Sequence, residues 1–262
     1  MLFRSPIFPK FAATGYDIQM IRPCPIPGLF ITGTDTGVGK TVIAGAIAQW
    51  FVRRSMNVAV CKPVATGCQH QREGLVSEDA EFLASASDSR HPLDMICPVR
   101  FHEALCPAVA AERADEEIDW PAIDQSIHNM SVNCSVMIIE GVGGVMVPIS
   151  DTATVLHLAN WLQLPTLVVA RPGLGTINHT LLTISALQAA GVAVAGIIVN
   201  QYPSNNATIV EETNLDALEK FSGVPVLAVV PFEKVKRTIP VEIADAIDRV
   251  DWTRLAMRRM MQ

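Results

Sequence analysis

Hydrophobic residues occur in short unbroken runs that alternate with segments of helical composition. An apolar run of four to eight residues, bounded by turn residues, is typical of a strand buried on both faces. Mainly apolar segments of about this length lie at residues 29–31, 58–61, 136–139, 166–170, 192–200 and 226–230. The segments between them predict helices over about 42–54, 77–84, 104–113, 121–130 and 177–190, another that ends over 216–221, and a loop over 85–98. This order predicts one doubly wound, mainly parallel α/β sheet flanked by helices.

The sheet accounts for residues 28–262 as a single domain, which leaves residues 1–27 as an N-terminal extension. That stretch is rich in proline and has no apolar segment followed by a cleavage site, so it does not resemble a signal peptide. We expect an extension of uncertain order. The sequence leaves open whether Met20 is the true start.

Composition excludes several classes of partner. Half of the 262 residues are hydrophobic and 18% are charged, which allows a sizeable core, yet every apolar run breaks well short of a membrane span. A net charge of −6 argues against nucleic acid as a partner. The six cysteines form no Cys-x-x-Cys pair and no metal-ligand spacing with histidine. We therefore expect a cytoplasmic protein with small-molecule ligands.

The stretch from residue 33 to residue 41 reads GTDTGVGKT and lies between a predicted strand and a predicted helix. Backbone N–H groups in such a loop converge on an anion at the positive end of the helix, and a lysine adds charge for the outer phosphates. The usual spacing would put a glycine at Thr34, whereas this chain has Gly33 one residue earlier. A purely structural turn is the alternative. We predict nucleotide phosphate binding by Thr36, Gly37, Val38, Gly39, Lys40 and Thr41.

A lysine and an acid follow two other predicted strands. Lys62 begins the sequence KPVATG, and Glu140 begins EGVGG. Open α/β sheets bind ligands at the carboxyl ends of their strands, and carboxylate oxygens suit Mg²⁺. In isolation each residue also fits an ordinary charged strand end. The neighbouring phosphate loop favours the functional interpretation.

Together these motifs resemble the dethiobiotin synthetase family over about residues 28–235. The resemblance rests on GTDTGVGKT, KPVATG, EGVGG and, at residues 173–179, GLGTINH, in this order. It implies an ATP-dependent carboxylase that joins 7,8-diaminononanoate and CO₂ to give dethiobiotin, ADP and phosphate. The implied route runs through a carbamate and a carbamic–phosphoric anhydride. Such chemistry asks the protein to align charged groups and to neutralise developing charge.

The resemblance also implies residue roles. Lys40 would hold the β- and γ-phosphates, and Lys62 would face the γ-phosphate and the carbamate. Thr36 and Thr66 would bind the carbamate or the diamine. Three oxygens would hold Mg²⁺, from Thr41, Asp79 and Glu140, although helix-dipole compensation alone would explain an acid at position 79.

Further roles concern adenine and a second subunit. Asn200 would contact the adenine. In the family the enzyme is a homodimer, and a helix start binds the substrate carboxylate of the neighbouring subunit. Here that helix start is Gly175, Thr176, Ile177 and Asn178. The family often has a basic residue where this chain has Gly173, and whether Arg171 substitutes for it is open.

Two other classes use related nucleotide loops. Partitioning and cell-division switches bind ATP and dimerise, but they usually carry a lysine early in the loop, where this chain has Thr34 and Asp35. Their C-terminal ends often bind membranes, and the mixed charge of residues 241–262 suits this poorly. ATP-dependent amidation domains of cobyrinate or CTP synthesis need a glutaminase, for which this chain has no room. The ligase interpretation fits more of the motifs than either.

Overall fold

The computed structural model describes residues 19–72 and 74–257. Its centre is a sheet of six strands: β1 (Gly28–Gly33), β2 (Val58–Cys61), β7 (Val136–Gly144), β8 (Thr166–Ala170), β9 (Val194–Tyr202) and β10 (Val226–Pro231). They lie in the order β10-β9-β8-β1-β7-β2, and all neighbouring strands are parallel. The predicted fold class is confirmed. Because every residue of β1, β2 and β8 is buried, both faces of the sheet are covered there.

Helices provide that cover. They are α1 (Lys40–Val52), α2 (Glu78–Ala86), α3 (Leu93–Ile96), α4 (Pro107–Ala114), α5 (Trp120–Ser131), α6 (Val155–Leu162), α7 (Thr176–Ala189), α8 (Ile209–Ser222), α9 (Val241–Asp248) and α10 (Trp252–Ala256). Helix α1 packs on β1, β2 and β7, whereas α7 packs on β8 and β9. In the part of the chain that the structure describes, no helix combines the length and apolar character that crossing a bilayer requires.

Some elements differ from the sequence prediction. The loop predicted over 85–98 contains the one-turn helix α3, and α6 was not predicted. Two small ribbons were also missed: parallel β3 (Val64–Thr66) with β6 (Val99–Phe101), and antiparallel β4 (Gln69–Gln71) with β5 (Gly74–Val76). Elements of three or four residues are too short to show a hydrophobic period, so pairing and packing decide them.

The predicted N-terminal extension is described only from residue 19, and residues 1–18 lie outside the described part. Ile21 is fully buried in the core. The Arg22 side chain donates to Asp124 of α5 through Nε at 2.8 Å, and the Cys24 N–H donates to the Leu162 carbonyl at 3.0 Å. Residues 19–27 are therefore held against the domain by burial and hydrogen bonds.

Candidate active site

The loop between β1 and α1 has the backbone that an anion-binding turn requires. Gly37 and Gly39 have φ angles of +75° and +90°, in the left-handed region that favours glycine. A Cβ on Gly39 would lie 2.1 Å from Nδ2 of Asn200, so there is no space for a side chain. No side chain of residues 19–72 or 74–257 caps the start of α1, and its first N–H groups are therefore available to a ligand.

Lys40 begins α1 and is 6% exposed. Its ammonium donates to the Asp35 carbonyl at 2.9 Å, within the same loop. Burial lowers the pKa of Lys40 to about 8, although the charge of Glu140 opposes this change. The ammonium is thus poorly compensated, and a phosphate beside it would supply the missing negative charge.

A second lysine stands among carboxylates on the other strand ends. Register pairs Cys61 of β2 with Ile139 of β7, which brings the next residues, Lys62 and Glu140, side by side. Lys62 Nζ lies 2.7 Å from Glu140 Oε1 and 2.8 Å from Asp79 Oδ2. Its backbone N–H donates to the Ile96 carbonyl at the end of α3, at 2.8 Å. The one-turn helix therefore fixes the position from which the lysine extends.

Thr41 connects the two parts of the site. Its hydroxyl lies 2.8 Å from Glu140 Oε1 and 3.0 Å from Asp79 Oδ1, and its single proton can serve one of them at a time. Asp79 is in the first turn of α2, a helix capped by Ser77, whose side chain accepts from the Ala80 N–H. One loop, one helix start and two strand ends thus meet around one ammonium group.

Burial and charge compete in setting the pKa values of this cluster. Burial alone would lower the pKa of Lys62, but the charges of Glu140 and Asp79 outweigh it and raise that pKa. Burial raises the pKa of Glu140, and Lys62 only partly opposes this. Asp79 is less enclosed. Burial would raise the pKa of its carboxyl group, but the positive charge of Lys62 outweighs burial and lowers that pKa. Lys62 therefore stays charged over the whole physiological range.

The oxygen atoms of the cluster fit a hard cation. Glu140 Oε2 is buried and has no hydrogen-bond partner among residues 19–72 and 74–257, and the Thr41 hydroxyl is within hydrogen-bond distance of both the other Glu140 oxygen and the Asp79 carboxylate. Such oxygens are the ligands that Mg²⁺ prefers, with waters or phosphates in its remaining positions. Over the same residues the structure contains no group of three or more His, Cys, Asp or Glu side chains that could hold a metal. An ion here would therefore need oxygens from its nucleotide and from water in addition to those of the protein.

These groups line a single cleft of about 870 Å³. Of the residues predicted from the sequence, it is lined by Thr36, Gly37, Gly39, Lys40, Thr41, Lys62, Thr66, Asp79 and Glu140. Val38 belongs to the loop, but its side chain is fully buried. Sequence reasoning missed Phe82, Cys106 and Lys236, which also line the cleft. Lys236 could have been proposed from the sequence, because it follows shortly after strand β10 and the carboxyl ends of such strands bind ligands.

Two predicted contacts lie elsewhere. The helix start at Gly175, Thr176, Ile177 and Asn178 does not line this cleft, and the preceding Leu174 is 89% exposed. Its role toward a neighbouring subunit stays a prediction. Asn200 is 4% exposed, and its Nδ2 donates to the Val38 carbonyl at 2.9 Å. The predicted adenine contact also stays a prediction, and in this structure the amide is bonded to the phosphate loop.

Arg171 reaches the same loop from the end of β8. Its Nη2 donates to the Thr36 carbonyl at 2.8 Å and lies 3.7 Å from Asp35 Oδ2. Gly173, where a basic residue was expected, offers no side chain. The positive charge of this segment is therefore directed at the phosphate loop.

A glycine-rich turn with a buried lysine, between a central parallel strand and an uncapped helix, defines a P-loop nucleotide-binding protein. The septum site-determining protein MinD from Pyrococcus horikoshii, solved with Mg-ADP, has this fold. It aligns with a TM-score of 0.51 and 15% identity, covering 86% of this chain and 93% of that chain. At this identity the likeness shows the fold alone.

Sequence relatives identify the family. A family described as an AAA domain matches residues 27–237. An ATP-dependent dethiobiotin synthetase BioD from Bacillus cereus is 42% identical over 206 residues, 78% of this chain and 83% of that protein. Its namesake from Thermodesulfovibrio yellowstonii is 35% identical over 212 residues, 78% of this chain and 88% of that protein. The chain belongs to the dethiobiotin synthetase family, which confirms the resemblance and makes it an ATP-dependent ligase of biotin biosynthesis.

Proposed function

We propose that this ligase closes the ureido ring of dethiobiotin from 7,8-diaminononanoate, CO₂ and ATP, and releases ADP and phosphate. The observation that carries the proposal is the pair of lysines in one cleft: Lys40 in the phosphate loop, and Lys62 at 2.7 Å from Glu140 on the neighbouring strands. Two ammonium groups can offset the repulsion between an anionic carbamate and a triphosphate, which a plain nucleotide switch does not need.

The proposed reaction has three steps. One amine of the substrate attacks the carbon of CO₂ and loses a proton, which gives a carbamate. A carbamate oxygen then attacks the γ-phosphorus, and ADP leaves. Finally the second amine attacks the carbonyl carbon, loses a proton and expels phosphate, so that the ring closes. The enzyme supplies alignment and positive charge for each of these steps.

Individual residues take the following parts. Lys40 and the loop N–H groups hold the β- and γ-phosphates. Lys62 faces the γ-phosphate and the carbamate, while the hydroxyls of Thr36 and Thr66 orient the carbamate or the diamine. Both threonines line the cleft that contains the two lysines. Asn200 is proposed to contact the adenine through its amide oxygen and its second N–H, while one N–H keeps its hydrogen bond to the Val38 carbonyl.

Thr41, Asp79 and Glu140 would hold Mg²⁺. The buried, unpartnered Oε2 of Glu140 supports this assignment. When bound, the ion would neutralise phosphate charge and hold the triphosphate in one orientation.

We also propose that two copies of the chain form a homodimer in the cytoplasm. The helix start at residues 175–178 would then bind the carboxylate of a substrate held by the neighbouring subunit. An uncapped helix N-terminus with Gly175 at φ +88° is consistent with such a site.

The test is product formation under single-component omissions. We expect ADP release with Mg-ATP, bicarbonate and the diamine together, and a product with the mass of dethiobiotin. Omission of the diamine or of bicarbonate should remove both signals. ADP release that is indifferent to the diamine would contradict the proposal and favour a nucleotide switch.

A further inference from the structure

Three consecutive carbonyl groups of the phosphate loop each accept a hydrogen bond from a side chain on a neighbouring strand end. Arg171 Nη2 donates to Thr36 O at 2.8 Å, and Gln201 Nε2 donates to Gly37 O at 3.1 Å. Asn200 Nδ2 donates to Val38 O at 2.9 Å. We call Arg171, Asn200 and Gln201 the loop brace.

The loop brace also sets the direction of the N–H groups in the phosphate loop. In a trans peptide the C=O of one residue and the N–H of the next point in opposite directions. Holding the carbonyls of Thr36, Gly37 and Val38 on the strand side therefore turns the N–H groups of residues 37–39 the other way. The N–H groups of Gly37 and Gly39 have no acceptor within residues 19–72 and 74–257. An anion in the loop would find them already oriented.

The backbone of strand β9 is distorted at the brace. Val199 pairs with Val229, but Tyr202 pairs with Pro231, so β9 holds one extra residue between these pairs. This bulge contains Asn200 and Gln201, and Gln201 has a φ of +62°. A left-handed glutamine inside a strand is strained, and bulges beside active sites commonly redirect side chains. Here the strain coincides with the two amides that reach the loop.

We propose that the loop brace positions the phosphate loop for nucleotide, so that Arg171, Asn200 and Gln201 raise nucleotide affinity by acting through the loop backbone. This inference rests on the proposed function only in assigning the phosphates to residues 33–41. It requires nothing of the diamine or of ring closure.

The sharpest test separates the hydrogen bond from the strain. Gln201→Gly removes the donor to Gly37 O and relieves the left-handed φ. Gln163→Gly is the matched control, because Gln163 has a φ of +53° at the end of α6 and, within the described part of the chain, forms no hydrogen bond to the loop. Both variants should keep or raise the thermal midpoint of unfolding, since glycine suits both positions.

Only Gln201→Gly should weaken nucleotide binding. We expect a dissociation constant for Mg-ADP about 3- to 10-fold higher than in the wild type, the effect of one partly exposed hydrogen bond. KM for ATP should rise by the same factor with kcat nearly unchanged, since the loop binds ground state and transition state alike. Arg171→Ala, at a half-exposed side chain, should act in the same direction.

Each result decides the inference. Unchanged Mg-ADP affinity in both Gln201→Gly and Arg171→Ala would overturn the brace, as would an equal loss in Gln163→Gly. If the wild type binds Mg-ADP but forms no dethiobiotin, the proposed function fails while the brace is still judged by these affinities. A wild type that binds no nucleotide would overturn both.

Discussion

Replacing Lys62 by methionine tests the centre of the site through stability as well as activity. Lys62 is 3% exposed and Glu140 is 1% exposed, so the variant leaves a buried carboxylate without its ammonium partner. Removal of one partner from a buried ion pair typically costs about 3–5 kcal/mol. We expect a loss of that size in the free energy of unfolding, measured by urea denaturation with a chelator near neutral pH. Product formation should also be lost.

The loss should depend on pH because Glu140 can protonate. Burial already raises the carboxyl pKa of Glu140, and without Lys62 it would be raised further. The folded variant then binds a proton that the unfolded chain, with a glutamate pKa of about 4.3, has released. Stability of Lys62→Met should therefore fall by up to about 1.4 kcal/mol per pH unit from there until its folded Glu140 ionises. The wild type shares the first part of this fall, so the difference between the two proteins should open above the lower Glu140 pKa that Lys62 maintains in the wild type. At more acidic pH the penalty should disappear.

A second substitution distinguishes the ion pair from simple packing. In Lys62→Met with Glu140→Gln both members of the buried Lys62–Glu140 ion pair are removed, and such double replacements are often close to neutral. We expect the double variant to recover most of the lost stability while remaining inactive. The electrostatic reasoning would be refuted if the free energy of unfolding of Lys62→Met lay within about 1 kcal/mol of the wild-type value. It would also be refuted if the double variant were no more stable than Lys62→Met alone. An active double variant would remove Lys62 from the chemistry.

Three further predictions concern nucleotide and metal. Because burial lowers the Lys40 pKa to about 8, the affinity for Mg-ADP should fall above that pH, by up to about tenfold per pH unit. In calorimetric titrations Lys40→Met should bind Mg-ADP weakly, with an affinity that does not change over this pH range. Glu140→Gln should raise the Mg²⁺ concentration for half-maximal activity about tenfold or more, and an unchanged metal titration would remove the carboxylate from the ion site. Gly39→Ala should weaken Mg-ADP binding more than tenfold, since its Cβ would lie 2.1 Å from Asn200; retained affinity would contradict this.

The sequence predicted the main strands well because β1, β2 and β8 are buried along their whole length. Their short apolar runs between turns carry a strong local signal. Helix α6 escaped prediction for the opposite reason. It has only eight residues, about two turns, and its capping box uses His157 where glutamate or glutamine is usual.

The separate motifs of the site could be read from the sequence, but their contacts could not. Lys62 and Glu140 are 78 residues apart, and they meet because β7 lies between β1 and β2 in the sheet. Chain order does not reveal that insertion. The contribution of Gln201 was also invisible, since nothing in an apolar strand predicts a left-handed glutamine at a bulge.

The two lysines of the cleft are in opposite electrostatic situations, and this difference constrains how ligands can bind. Among the described residues, the Lys40 ammonium donates to a carbonyl oxygen and forms no ion pair, and its pKa is lowered, so a phosphate can approach it without displacing a charged partner. Lys62 is held by Glu140 and Asp79 together, and these carboxylates keep its pKa raised. A ligand that recruits the Lys62 ammonium must leave two carboxylates with another source of positive charge, or pay the cost of burying Glu140 unpaired. Binding through the phosphate loop is therefore the easier step, and engagement of Lys62 depends on what compensates Glu140.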